Sequence, residues 1–435
     1  MSKHFNPNHG HDGGWYHDSN NDWSNAPIEC NANPCPSYAT PYSFVPVAET
    51  SIYATLLEDW GFANNVLQAN EGPSFVAHQY FIAGQSGGAP EASSSPDGES
   101  ENPGDPPASP PTGNYIGADN EDMATSGCNP SGYTVGSVNM SLPVASSPPL
   151  DNGGAISPCE EYAANILDEV SGNEGTPTIA DWQYIAHADS SIWAAPLGIQ
   201  HLWNAYHGAP DQGLESFAVD PDAENFVLNI TSSSNPTPNP SRPIASLTYI
   251  TPCIHESDHA QLSGSDDGPQ WLAWVLNAIG ESSFWNSSVI FVTWDDWGGW
   301  YDNVPATPFR PLNNDYGNSD DPNEWGFRVP LIVISPYLKE RGYISSVGNS
   351  GFTHRSQSVI LQYIEATFDV PSLGTDDKQD NQSDGLADMF NYSRSPILNW
   401  EPLSTSFSPQ NNGNCPGGGD AVRIRHHGMR KVKGS

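Results

Sequence analysis

Two short, wholly apolar runs constrain this chain most: Ser288-Val-Ile-Phe-Val-Thr293 and Val329-Pro-Leu-Ile-Val-Ile334. Runs of this length, rich in β-branched residues, are expected of strands covered on both faces, as in the centre of a parallel sheet. Further strands are expected at Asp181–Ala186 and Ile244–Ile250. Helical periodicity marks Ser51–Trp60, Ser74–Ala83, Glu160–Val170, Pro269–Ile279 and Ser356–Phe368. Strands alternating with helices predict an α/β fold with a mostly parallel sheet. No apolar strand precedes residue 43, so the first expected core segment is a helix.

Gly and Pro number 40 each and charged residues make up 15%, which requires long loops. Residues 84–117, dense in Ser, Pro, Gly and Glu, read as a flexible insertion. One domain over 1–410 is expected, followed by a Gly-rich and basic tail over 411–435. The net charge is −37, and no Lys or Arg occurs between Lys3 and Arg242. Such a surface repels nucleic acid and anionic membranes, so neither is an expected partner. Little cationic side chain is left to attract a phosphate, which points to a metal ion as the source of positive field. No apolar run reaches the roughly 18–20 residues that span a bilayer. Residues 1–27 lack the apolar core of a signal peptide. The six cysteines, Cys30, Cys35, Cys128, Cys159, Cys253 and Cys415, form no C-x-x-C pair. Their even number suits an oxidising compartment, with Cys30–Cys35 and Cys128–Cys159 as loop-closing pairs. A secreted or periplasmic location is expected.

The chemistry-bearing residues sit where such a fold binds ligands. Asp295 and Asp296 close an apolar strand and precede Gly298 and Gly299. Ligands bind beyond the carboxyl ends of strands in open α/β sheets, and adjacent carboxylates are relieved by a hard cation. An acidic turn or cap is the plainer alternative. His255 and His259, in His255-Glu-Ser-Asp-His259, follow another strand and suit metal ligation or proton donation, or simply a polar loop. Ser74 follows Gly72-Pro73 at a helix start and is either a cap or a nucleophile beside free backbone N–H groups. His9, His11 and His354 carry little weight individually.

Four ordered blocks resemble the phosphoesterase family: Glu71-Gly-Pro-Ser-Phe-Val-Ala-His-Gln-Tyr-Phe-Ile-Ala-Gly84, Trp294-Asp-Asp-Trp-Gly-Gly-Trp-Tyr-Asp302, Phe327-Arg-Val-Pro-Leu-Ile-Val-Ile-Ser-Pro336, and the stretch from His354-Arg-Ser to Ile364-Glu365. That family holds phosphatidylcholine-type phospholipases C and an acid phosphatase. The resemblance implies an alkaline-phosphatase-like three-layer sandwich with long loop insertions. It also implies a small-molecule or lipid phosphoester substrate and a divalent metal ion. Ser74 falls at the nucleophile that forms a phosphoseryl intermediate and also contacts the metal, and Asp295 and Asp296 fall at the metal-binding acidic pair. His259, with His255 as second choice, falls at a His serving phosphate or leaving group. His9 or His11 falls near the pocket, and His354 lies ahead of the last helix. The family's opening Glu-Asn-Arg-Ser block has no counterpart here, so an N-terminally incomplete domain is expected. The family's Asp-His after the Gly pair reads Asp302-Asn303. The competing expectation is a catalytically inactive fragment or pseudoenzyme acting as a secreted binding protein; hydrolysis of another ester, such as a sulfate, is the third.

Overall fold

The computed structural model describes residues 50–69, 74–84, 115–117, 137–139, 165–172, 178–186, 193–199, 201–203, 219–220, 227, 244–252, 256–258, 267–298, 302, 326–345, 355–373 and 385–408. All six cysteines lie outside these residues, as do His9, His11, His255, His259, His354 and the tail after residue 408.

The fold is mixed α/β. Helix α1 (Ser51–Asp59) buries Ile52 and Leu56 at i, i+4 spacing and ends at Trp60, whose N–H reaches the Leu56 carbonyl at 2.8 Å. The Trp60 ring then stacks on Trp400, and Trp285 meets both edge-on. Strand β1 (Gly61–Ala63) and β2 (Val66–Leu67) follow, separated by Asn65 in the left-handed region (φ 58°). Helix α2 (Ser74–Ala83) is apolar on every side except at Ser74, His78 and Gln79, all buried, as befits a helix enclosed by other elements. Strands β3 (Tyr115–Gly117) and β4 (Ser137–Asn139) form an antiparallel pair. Residues 115–117 are therefore ordered into a strand within the stretch expected to be structureless.

Helix α3 (Ile166–Ser171) starts six residues later than Glu160, because extended Asn165 caps it with a side-chain oxygen 3.0 Å from the Asp168 N–H. Strands β5 (Trp182–Ala186), β6 (Val219–Asp220) and β7 (Leu247–Thr251) make a parallel sheet in the order β6-β5-β7. Helix α4 (Asp267–Gly280) presents Ala273 and Leu276 to the main core and Trp271, Val275 and Ile279 to a smaller one with Ile185 and Val227. Its last residue has to be glycine: a Cβ at Gly280 would lie 2.1 Å from the Trp400 ring. Strands β8 (Ile290–Thr293), β9 (Leu331–Ile334) and β10 (Ile344–Ser345) join β1 in a second sheet, ordered β10-β1-β9-β8. Strand β11 (Arg355–Ser356) pairs parallel with β2, and helix α5 (Val359–Phe368) follows it.

Two expectations change here. Strand β8 is not a central parallel strand: among the described residues it lies at the edge of its sheet, antiparallel to β9. Strand β8 is also only half-buried, whereas β9 is fully buried in mid-sheet but antiparallel to both β1 and β8; an apolar run carries no record of strand direction or of which neighbours cover it. The final helix begins at Val359 and not Ser356, because Arg355 and Ser356 are drawn into the β2 ladder. No helix among the described residues is long and apolar enough to cross a membrane.

Candidate active site

The chain leaves β8 through Thr293, whose hydroxyl donates to the Pro330 carbonyl at 2.8 Å. It then enters the acidic loop. The Asp296 carboxylate folds back on this loop, with Oδ1 accepting the Gly298 N–H at 2.5 Å, and Gly298 takes φ 69°, which a glycine adopts without a Cβ penalty. Trp297 packs edge-on against Phe327, with centroids 4.9 Å apart. The loop's far end is held by Arg328, which grips Asp302 with a two-pronged contact, Nε to Oδ2 at 2.8 Å and Nη2 to Oδ1 at 2.6 Å.

Helix α2 brings Ser74 and His78 to this loop. The two are one helical turn apart on the same face, and are 2% and 7% exposed. The Ser74 hydroxyl donates to Asp296 Oδ2 at 3.4 Å, across 222 residues of sequence. His78 Nε2 lies 3.5 Å from Asp295 Oδ2. Its Nδ1 is 3.1 Å from the Tyr184 hydroxyl, which gives its own proton to the Trp193 carbonyl at 2.7 Å. Loss of water around Asp295 pushes its carboxyl upward, but His78, the Ser74 hydroxyl and the Asp296 backbone outweigh this and hold it at about 2. Asp295 is thus an anion throughout the neutral range.

The loop after β7 meets this site through Asp258. Its Oδ2 accepts the Tyr53 hydroxyl and, at 3.0 Å, the Trp294 indole N–H, while the Tyr53 and Trp294 rings pack edge to face at 5.1 Å. Strands β7 and β8 share no ladder among the described residues, and this carboxylate is the contact that joins their loops. Burial, reinforced by the Asp258 charge, drives the Tyr53 phenol far above its usual range, and burial does the same for Tyr184. A raised phenol contributes stability that is complete below its unfolded value of about 10 and is lost as pH rises beyond it. Unfolding free energy should therefore fall above pH ~10 by about 1.4 kcal/mol per pH unit for each such tyrosine. Denaturant titrations from pH 8 to 11 test this; a flat profile for wild type, or no flattening in Tyr53→Phe, contradicts it.

The structure thus brings together Ser74, Asp295 and Asp296 of the expected site residues. His255 and His259 flank the described Asp258, and His354 adjoins the described Arg355. His78 was not among the expected residues. Its signal was the i, i+4 spacing from Ser74, hidden because a lone His in an apolar helix reads as core. Ser74, Asp295 and Asp296 offer hard oxygen donors of the kind that suit a divalent cation. Among the described residues, no group of three or more His, Cys, Asp or Glu is disposed to hold a metal ion, so these donors supply only part of a ligand set. The described cations are engaged elsewhere. Arg328 binds Asp302, Arg341 binds Asp59, Arg355 binds Asp388, Arg394 bonds backbone carbonyls and Lys339 donates to the Tyr343 hydroxyl.

Comparison with known proteins finds similarity over part of the chain. Residues 240–371 match the Phosphoesterase family. The chain is 24% identical over 266 residues to phospholipase C A of Mycobacterium tuberculosis, covering 54% of this chain and 49% of that protein. It is 28% identical over 144 residues to non-specific phospholipase C6 of Arabidopsis thaliana, covering 30% of this chain and 27% of that protein. Non-specific phospholipase C4 of the same plant is 34% identical over 97 residues, or 21% of this chain and 18% of that protein. The chain spans at most about half the length of these relatives. The family match takes in Asp258, Asp295, Asp296, Asp302 and Arg328, while Ser74 and His78 lie ahead of it. The stretch that supplies both aspartates of the acidic loop and the residues that brace it is thus the one similar to the Phosphoesterase family.

Proposed function

We propose that this chain hydrolyses phosphoester bonds in the manner of a phospholipase C or acid phosphatase, with Ser74 as nucleophile. The observation that carries the reading is the buried Ser74 hydroxyl at the start of α2, directed at Asp296 and beside an Asp295 carboxylate that stays ionised. The names of the relatives favour a phospholipid phosphodiester as substrate. The proposed framework is an alkaline-phosphatase-like three-layer sandwich in one domain over 1–410, working in a secreted or periplasmic setting, with 411–435 as an appended tail.

In this mechanism the Ser74 Oγ attacks phosphorus as its proton passes to the Asp296 carboxylate. The new Oγ–P bond forms as the P–O bond to the alcohol breaks. The departing alkoxide takes a proton from His259, or from His255, and leaves as the alcohol. Water then attacks phosphorus, giving its proton to the same His; the Oγ–P bond breaks, Asp296 returns its proton to Ser74 Oγ, and phosphate or its monoester departs. His78 holds Asp295 in place through Nε2, and Tyr184 orients the imidazole through Nδ1. A divalent metal ion held by Asp295, Asp296 and Ser74 would supply charge neutralisation at the phosphoryl oxygens and make the hydroxyl more acidic. His9, His11 and His354 are the proposed substrate-binding residues.

The test is turnover of p-nitrophenyl phosphorylcholine and p-nitrophenyl phosphate with and without a chelator. We expect turnover on at least one, reduced tenfold or more by the chelator and restored by divalent metal. Turnover indifferent to chelator removes the metal assignment; no turnover by folded protein removes the enzyme reading in favour of a binding protein.

A further inference from the structure

Ser74 and the two aspartates arrive on separate arms of the fold. Strand β2 leads through Gln68 and Ala69 towards Ser74, and β8 leads through Trp294 into Asp295. Among the described residues no ladder pairs β2 with β8: β2 belongs with β11, and β8 with β9. A nucleophile and its acidic partners need a fixed separation, and with no shared ladder it falls to indirect pairing and side-chain contacts to set it. A backbone route exists through Val329, whose N–H reaches the Val66 carbonyl at 2.9 Å; two residues on, Leu331 at the start of β9 pairs with Thr293 at the end of β8.

A second route, which ends next to Asp295 itself, is the side chain of Gln357. It is 3% exposed, and follows β11 where its own N–H bonds the Leu67 carbonyl at 3.0 Å. Its Oε1 accepts the Ala69 N–H at 3.2 Å on the serine arm. Its Nε2 donates to the Trp294 carbonyl at 2.5 Å, next to Asp295, and to the Thr293 hydroxyl at 3.3 Å. A primary amide is the side-chain group with both a fixed acceptor and a fixed donor in one plane. Here each end serves a different arm, and burial excludes water as a substitute partner.

We infer that Gln357 is a positioning residue that sets the distance between the Ser74 hydroxyl and the Asp295–Asp296 pair. The inference rests on the phosphoester-hydrolase reading for its effect on rate, but not for its effect on the two arms. Small errors in reactant placement lower rate steeply, about a hundredfold for a displacement near 1 Å.

The experiment compares Gln357→Met and Gln357→Glu with wild type by steady-state kinetics and by hydrogen–deuterium exchange. Methionine matches the length and lacks both contacts. Glutamate keeps an acceptor for Ala69 but sets a carboxylate oxygen against the Trp294 carbonyl. We expect Gln357→Met to lower kcat about 10–100-fold with KM within about threefold, as expected of lost alignment rather than lost binding. Amide exchange should accelerate on both arms in Gln357→Met, and only on the Trp294 arm in Gln357→Glu. A residue with a purely structural part would loosen both arms alike in the two variants, and that pattern overturns the inference. So does wild-type kcat in Gln357→Met. If Gln357→Met does not fold, Gln357→Glu decides the matter by the same arm-specific exchange. Absence of turnover in wild type refutes the hydrolase reading instead, and the exchange pattern then judges Gln357 alone.

Discussion

Ser74→Ala is expected to lower phosphoester turnover at least about a thousandfold while the protein remains folded. Ser74 is 2% exposed and its hydroxyl donates to Asp296 Oδ2 at 3.4 Å, a long contact that is easily given up for a bond to phosphorus. Alanine keeps the helix start and removes one oxygen. The change in stability should then stay near 1 kcal/mol, the typical net worth of a hydrogen bond. Electrostatic stabilisation by the remaining site accounts for residual activity above the uncatalysed rate. Initial rates on p-nitrophenyl phosphorylcholine, with the unfolding midpoint measured in parallel, separate the two effects. A variant that keeps more than a tenth of wild-type kcat would remove Ser74 from the chemistry. A variant whose rate and midpoint fall together would make it a structural residue.

The second large effect concerns stability and lies behind the site. The Arg355 guanidinium is 1% exposed and donates to Asp388 Oδ1 at 2.5 Å and to the Ser345 hydroxyl at 2.6 Å. Asp388 Oδ2 also accepts the Ser345 hydroxyl and, at 3.2 Å, the Tyr343 hydroxyl. This network joins β10, β11 and the turn at Ala387–Met389. Asp388→Ala leaves a permanently charged guanidinium buried without its counter-charge. We expect a loss of about 3–5 kcal/mol, read as a lower denaturant midpoint at unchanged slope. Replacing both partners, Arg355→Met with Asp388→Leu, should cost much less, because the desolvation of both charges disappears with them. A loss under about 1 kcal/mol for Asp388→Ala would show that water reaches the guanidinium and that the network adds little.

These two sites differ in how far they were legible in the chain. Asp295 and Asp296 stood out because two carboxylates directly after an apolar run are chemically conspicuous. Ser74 stood out only as a helix start, with a cap as the ordinary explanation. Arg355, Ser345 and Asp388 gave no signal, since their contacts depend on strands of two residues each, too short to show a period. Gln357 was hidden for a related reason. A polar residue just ahead of an apolar helix reads as a terminus signal, and its two partners are 288 and 63 residues away.

The sequence by itself determined the helices at 51–59, 74–83 and 267–280 to within a few residues, and the full burial of the apolar run at Leu331–Ile334. Period and apolarity are local properties, so they survive without knowledge of neighbours. Only the tertiary structure decided that β8 runs antiparallel to β9 at a sheet edge, and that β7 and β8 meet through Asp258 and not through a ladder. It alone placed His78 against Asp295 and Gln357 between the two arms. Strand direction and the partners of a buried polar group are set by which distant segments pack together, and no local pattern of residues records that choice.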